Sequence, residues 1–512
     1  MLDISKLTPA QLDQFLHLQG IVDRQANEAA KIVAYRAYYD GEHPVLLTRR
    51  QREYLGDLLN PEEFTFAHNL VKRVIDTIRA RLAVSGVTVN GADATTEATD
   101  ENAVIAALLW SWWKAARLDS AQIDLYRRAL RDGYSYVIVD WDNAEQRPRF
   151  SLHKRDDGVT GVMLHYDPED ESRTLFATKY FYAFDPLTPG TTGKERKTVY
   201  LPGEIRKYVR GGQDGAWQPY QEPGDPSWPL PWVDRNGAPL GCAVIEFPNP
   251  GGSEIDHIIG LQNALNKTWL DLLAAADTSG FPLIAVEYSG DNFGGATDDA
   301  DIAGADEFRL SPGRAIEVDN ATVKRLEAAN LNPMIDTMWT VVQAISGVSD
   351  IPQYYLRPVG GDVPSGEALK QLESGLVARA EERQLIFGQA WEECLLLAYR
   401  LAQTFGSVVG MDDIEVGVVW RDANVRNEQV VAQTAQLHSG LGVPQEPVWQ
   451  MLGYSPEQIA SWAAAKSAQD AAKIAQVAQA MRQVNGGTNG RTNQTVQPAG
   501  DNGNGDDTIG GE

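Results

Sequence analysis

Apolar residues recur at helical spacing from Asp362 to Ala402, through DVPSGEALKQLESGLVARAEERQLIFGQAWEECLLLAYRLA. An average helix runs about 11–12 residues; this one would span roughly 55 Å. At its head stands a Pro/Gly/Tyr-rich stretch, SDIPQYYLRPVGGDVP, that reads as an irregular loop. The same period predicts helices earlier in the chain. Thr8-Pro9-Ala10-Gln11 combines a cap, a proline suited to the first helical position and a capping-box glutamine, and opens a helix expected to end near Asp40-Gly41. Leu70, Val71, Val74, Ile75, Ile78 and Leu82 line one face of a helix over Asn69–Ala83, with Gly86 as terminator. Two more helices are predicted over Glu101–Ala116 and Ser120–Arg131. The first carries Trp110, Trp112 and Trp113, which read as packing residues before they read as a ligand site.

From Tyr134 to about Phe247 the pattern shortens to strands: YSYVIVDWD, PRFSLHKR, VTGVMLHYD, TLFATKYFYAFD and TVYLPGEIRKYVRG, broken by Asp, Gly and Pro. An antiparallel meander or small sandwich is expected, with hairpins at signals such as Asp157-Gly158. Ser253 then caps a helix predicted to reach Asp277, with Ile255, Ile258, Ile259, Gln262, Leu265, Trp269 and Leu272 as its stripe. Gly280-Phe281-Pro282 closes it. A β excursion follows in PLIAVEYSG, EFRLSPG, AIEVD and TVKRLE, with the acidic loop DNFGGATDDADIAGADE between the first two. Asn332-Pro333 opens another helix, to about Ile345. Beyond the long helix come a strand in IEVGVVWRD, a helix in RNEQVVAQTAQLHSGLG and an alanine-rich helical stretch from Pro447 to Arg482. The last thirty residues have almost nothing to bury, and disorder is expected there. The fold class is therefore α+β and mostly helical.

Composition narrows the function classes. With 512 residues the chain has room for several cores. No run of 18 or more apolar residues occurs, so no membrane-spanning helix is expected, and MLDISKLTPAQLDQF lacks the plan of a secretory signal. Cys242 and Cys394 belong to no CxxC pair and read as buried free thiols of a reducing compartment. A net charge of −25 is opposite in sign to a dedicated nucleic-acid binder, yet it does not exclude a protein that lets DNA pass without gripping it.

The search for catalysis returns little. TPGTTGKE, Thr188 to Glu195, has Thr188 where a phosphate loop needs its first glycine and Glu195 where it needs Ser or Thr. No G-x-S-x-G elbow occurs. Histidines 17, 43, 68, 153, 165, 257 and 438 never fall at HExxH spacing. Asp298-Asp299 and Asp156-Asp157 lack the spacing of a calcium loop and read as solvated loop. Neither enzyme activity, cofactor nor metal is expected.

Order along the chain carries more. AYRAYYDGEHP, FAHNLVKRVIDTIRARLAVSGV, NPGGSEIDHIIGLQNALNKTWLDLLAAAD, VPSGEALKQLESGLVARAEERQ and VVWRDANVRNEQVVAQTAQLHSGLGVPQEPVWQMLGYSPEQI together cover most of residues 30 to 462. In this order and spacing the chain resembles the portal proteins of long-tailed (siphovirus-type) bacteriophages. The resemblance implies a virion ring, typically of twelve subunits, at one capsid vertex, assembled in the host cytoplasm. Double-stranded DNA passes through its channel non-specifically. Its other implied partners are the terminase large subunit, a head–tail connector, and the major capsid and scaffold proteins, with no membrane involved. The implied map is a wing over 1–247, a first stem helix over 248–279, a clip over 280–327 and a second stem helix over 328–349. A tunnel loop follows over 350–365, then the long wing helix and strand over 366–423, a helical crown over 424–482 and the tail over 483–512. Tyr354, Tyr355, Arg357, Gly360 and Gly361 become the channel-facing candidates, and Asp298, Asp299, Asp301, Asp306 and Glu307 the partner-facing ones. Two alternatives stay open for the loop: Arg357 touches passing phosphates, or it pairs with Asp350 or Asp362 while the tyrosines pack on a neighbouring subunit. Rival classes are a capsid or head-completion protein and a packaging enzyme.

Overall fold

The computed structural model describes residues 4–44, 49, 68–93, 101–183, 193–211, 215–280, 284–288, 321–325, 330–356, 366–411, 413–424, 435–441, 443–445, 448–449, 452, 454 and 456–486. Thr8 caps α1 (Pro9–Ala26) through the expected capping box. The helix does not continue to Asp40. Asn27 turns extended, and α2 (Ala29–Asp40) starts afresh and ends at Gly41, whose φ of 90° gives the left-handed cap. Packing explains the break. Leu12 and Leu16 of α1 are buried with Phe176, Val199, Leu201 and Tyr208, whereas Tyr35, Tyr38 and Tyr39 of α2 enter the main core. One straight rod does not serve both.

Asn69 accepts from Lys72 N and caps α3 (Leu70–Arg79), whose Val71, Val74, Ile75 and Ile78 are fully buried. Strands β1 (Val84–Val89) and β2 (Ala92–Asp93) follow, then α4 (Glu101–Ala115) and α5 (Leu118–Asp132). The strand region resolves into two antiparallel sheets. β3 (Tyr134–Asp142) lies between β4 (Arg147–Lys154) and β11 (Val244–Pro248). The second sheet is a meander of β5 (Gly161–Asp167), β6 (Asp170–Ala183), β7 (Lys194–Tyr200) and β8 (Glu204–Arg210), with β9 (Gln218–Pro219) and β10 (Leu230–Pro231) both paired to β8. Asp157-Gly158 is a turn, but it carries the chain from one sheet to the other rather than closing a hairpin. Asp156 and Asp157 are not solvated there. Asp156 is buried, and Asp157 binds Lys154 and Arg36. Burial alone would push Asp157 up, yet those bonds and the Thr160 N–H hold it at about 2.

The expected helix from Ser253 begins later, as α6 (Ile259–Gly280). Tertiary bonds take the place of its first turn: Ser253 Oγ donates to Arg131 O, and Glu254 N donates to Leu130 O at 2.9 Å. A hairpin of β12 (Ile284–Tyr288) and β13 (Ala321–Arg325) lies in the expected excursion, while EFRLSPG, AIEVD and the acidic loop lie outside the described residues. α7 (Asn332–Ser349) packs against α6. It runs one turn past Ile345, to a left-handed Asp350.

The long helix, α9, spans Gly366–Phe405, 40 residues. (α8 is the single turn Gln353–Leu356.) Its Phe387, Trp391, Cys394, Leu395, Ala398 and Ala402 are fully buried against β3, β11 and β14 (Val416–Trp420). Trp391 meets Trp113 edge-on at 4.7 Å and Phe247 at 4.9 Å, and donates to the Tyr126 hydroxyl at 2.7 Å. The tryptophans of α4 are thus core residues. Burial drives the Cys394 thiol well above its ordinary range, leaving it inert. Residues Val431–Glu512 form a second compact unit. It holds α10 (Pro456–Gly486), where Trp462 lies edge-on to Trp449 and Tyr454 and most of the helix is exposed. The tail beyond Gly486 lies outside the described residues.

Two largely enclosed histidines give the fold a pH signature. Burial lowers His165, stacked on Phe176 with Nε2 3.3 Å from Asp23, to about 4; burial aided by Lys179 and Arg128 does the same to His153. In an unfolded chain both titrate near 6.5. As pH falls from about 6.5 to 4, the unfolded state takes up protons that the native state refuses, so stability is lost downward through that window. The thermal midpoint of His165→Gln is expected to fall less than the wild type's between pH 7 and 5; parallel curves by scanning calorimetry would contradict this.

Candidate functional site

The segment joining α7 to α9 is fastened at both ends. At the entrance, Asp350 has φ 53°, and Ser346 Oγ donates to Ile351 O at 2.6 Å while Ile351 N returns a bond to Ser346 O. The chain then makes one helical turn, α8 (Gln353–Leu356), so Tyr354 and Tyr355 are helical rather than part of an irregular loop. Their rings lie 4.5 Å apart, and both hydroxyls donate to Glu373 Oε1, Tyr355 at 3.0 Å. Glu373 belongs to the second turn of α9 and is buried. Arg81, just past α3, completes the cluster: Nη2 reaches Glu373 Oε2 at 3.2 Å and the Tyr355 hydroxyl at 2.7 Å, while Nη1 donates to Ala423 O. Arg73 Nε donates to Tyr355 O at 3.1 Å. Burial, then the bond to Glu373, drives the Tyr354 hydroxyl far above its ordinary range, so it stays a neutral donor.

About two to three turns along α9 a second knot forms. Glu254, from the chain leading into α6, receives Arg379 on Oε2 and Arg383 on Oε1. Arg379 also binds Asp350 Oδ2 at 3.1 Å. Asp350, one of the partners considered for Arg357, therefore already holds an arginine of the long helix. Arg357, Gly360, Gly361 and Asp362 lie outside the described residues, as do Asp298, Asp299, Asp301, Asp306 and Glu307. Of the sequence-derived candidates, the structure brings together only the two tyrosines, facing inward onto Glu373.

Neither knot has the makings of a catalytic centre: there is no activated nucleophile and no acid–base pair in a cleft. Among the described residues no group of three or more His, Cys, Asp or Glu side chains is placed to hold a metal. What the cluster does is mechanical, tying α8 and the segment just past α3 to the long helix. Sequence reading missed Arg81, Glu254, Glu373, Arg379 and Arg383. A signal existed in LESGLVARAEER: Glu373, Arg379 and Arg383 interrupt the apolar side of the helix, and two arginines one turn apart demand a shared carboxylate.

The family model for phage portal proteins of the SPP1 Gp6-like type matches residues 18–472. The chain belongs to the phage portal protein family. Portal proteins of this family are virion components. The chain is similar to the portal protein of Mycobacterium phage D29, 26% identical over 410 residues that cover 74% of this chain and 75% of the relative. It is likewise similar to the portal protein of Mycobacterium phage L5, 24% identical over 448 residues and 82% of each. Among solved structures it is similar to a chain from the neck of an empty GTA particle computed with C6 symmetry. That likeness has 10% identity, covers 75% of this chain and 88% of the other, and has a TM-score of 0.39. No described helix of this portal protein is long and apolar enough to cross a membrane.

Removing Glu254 would leave Arg383, 3% exposed, with only the exposed Glu382 carboxylate beside it among the described residues. Glu254→Ala is expected to cost about 3–5 kcal/mol, read as a lowered denaturation midpoint. A loss below about 1 kcal/mol would show that the knot is not structural.

Proposed function

We propose that twelve copies of this chain close head-to-tail into a ring at one capsid vertex, and that double-stranded DNA passes through the ring during packaging and ejection. The observation that carries this reading is the family match along residues 18–472. Heterologous contacts close into rings when the rotation permits. The proposed wing comprises α1 to α5, the two sheets and α9; the proposed stem is α6 with α7, and the clip is the segment that contains β12 and β13. The acidic residues Asp298, Asp299, Asp301, Asp306 and Glu307 belong to that clip and are proposed to face the terminase large subunit and later the head–tail connector. The helices of 424–482 are the proposed crown, and capsid and scaffold proteins are the proposed partners of the outer wall.

The tunnel loop is proposed to be residues 357–365, carried on the anchored base. Tyr354 and Tyr355 act there as positioning residues, since their hydroxyls serve Glu373. Arg357 is the proposed contact to passing phosphates, without base readout, and Gly360-Gly361 is the proposed joint. Asp350 is engaged by Arg379, which favours a free Arg357 over a paired one.

Twelve copies of 56.2 kDa make roughly 670 kDa. Native mass spectrometry is expected to show a species of that order, and only monomer or dimer at micromolar concentration would sink the ring. Arg357→Ala is expected to leave rings and proheads intact but to reduce packaged DNA. Normal DNA content and infectivity would remove Arg357 from the mechanism while leaving the ring standing.

A further inference from the structure

Between the two sheets of the strand region lies a cavity of about 250 Å³. One face of the six-stranded sheet supplies most of its wall. The register sets Lys179 of β6 opposite Thr198 of β7, and Thr198 opposite Lys207 of β8, in a row across three strands. Arg196, two residues from Thr198, points to the same side and lies diagonal to Lys179, roughly 7–8 Å away along the sheet. Four cationic side chains line the space with Asp140 and Glu222.

The charges do not cancel evenly. Arg149 donates to Asp140 at 3.0 Å, and Lys207 binds Glu222 and Asp225. These pairs account for the carboxylates that line the cavity. Lys179 and Arg196 have no carboxylate at ion-pair distance among the described residues. The Lys179 ammonium reaches His153 Nε2 at 3.5 Å and lies 5.1 Å from the Phe181 ring. The Arg196 guanidinium stacks 3.4 Å over the Tyr220 ring, and its buried Nη1 has no hydrogen-bond partner. Stacking fixes the guanidinium plane and leaves its N–H edge as a ready fork for an oxyanion. Burial, and then Arg149, lower the Lys179 pKa, so an anion would relieve a standing penalty there. In a chain of net charge −25, two adjacent uncompensated cations facing a cavity are a built feature rather than an average of composition.

We propose that this cavity is a binding site for a compact oxyanion of the phosphate type, held between Lys179 and Arg196. Charge-assisted bonds from an ammonium and a guanidinium edge suit a tetrahedral acceptor, and the volume limits the occupant to a small group. The proposal stands apart from the ring. It is tested by titrating inorganic phosphate into the full-length chain at constant ionic strength, followed calorimetrically. Saturable binding is expected, weakened about tenfold or more in Arg196→Gln and in Lys179→Gln. Arg173→Gln, at the far end of β6 and exposed, is expected to bind as the wild type does. Thermal melts establish that each variant is folded, and the two variants sit on different strands. AMP serves as a second probe: competition with phosphate would identify a phosphomonoester end as the occupant, and its failure would identify the free ion. No saturable binding up to about 10 mM phosphate, or unchanged affinity in both folded variants, would overturn the site.

Discussion

A carboxylate as enclosed as Glu254, 2% exposed, is costly to strip of water, and a single arginine rarely offsets that cost. Here two are supplied, Arg379 and Arg383, one helical turn apart on one face of the long helix. The Glu254 backbone is itself tied to Leu130 at the end of α5, and Asn249 Nδ2 donates to its carboxylate. Sliding the long helix by one turn would carry one arginine into the other's place and leave Glu254 with a single guanidinium. The helix is therefore pinned axially as well as packed. Arg379 extends the pin to Asp350, so the start of α6, the end of α7 and the body of α9 share one reference point. Glu373, Arg81 and the two tyrosines repeat the device nearer the loop.

Apolar packing does the complementary work. Trp391 and Phe387 lock α9 against Trp113, Tyr126 and Phe247, which come from α4, α5 and β11. Aromatic side chains of this size give large burial with few rotatable bonds. Packing makes the helix hard to lift away, and the ion knots make it hard to shift along its axis.

How much was legible in the sequence follows from which interactions are local. Thr8 with Gln11, Asn69 with Lys72 and Gly41 at a positive φ are satisfied within a few residues, and each marked its helix end correctly. The 40-residue helix was visible because its apolar spacing resumes after the interruptions at Glu373, Arg379 and Arg383. The break at Asn27 was not, since neither side has a strong breaker and the cause is two separate cores. The late start of α6 was hidden for the same reason: Ser253 is a good cap by type, but its hydroxyl is claimed by Arg131 O, 122 positions away. The tyrosines were read as loop residues, whereas they form the helical turn α8. Their partner Glu373 was not singled out, because a carboxylate on a helix reads as solvated face until its tertiary neighbours are known.

The charge balance takes on a different meaning once the ion pairs are placed. Many arginines do not offer their charge to solvent: Arg36 is held by Asp132 and Asp157, Arg206 by Asp13 and Glu204, Arg81 by Glu373, and Arg383 by Glu254. Those four arginines engage six carboxylates, and the net charge of −25 is untouched by the pairing. A polyanion approaching a chain of this net charge is repelled at long range, and these four arginines are already held by carboxylates. Under the ring proposal, that suits DNA that moves without deep wells: these arginines fix geometry inside the fold rather than hold a phosphate.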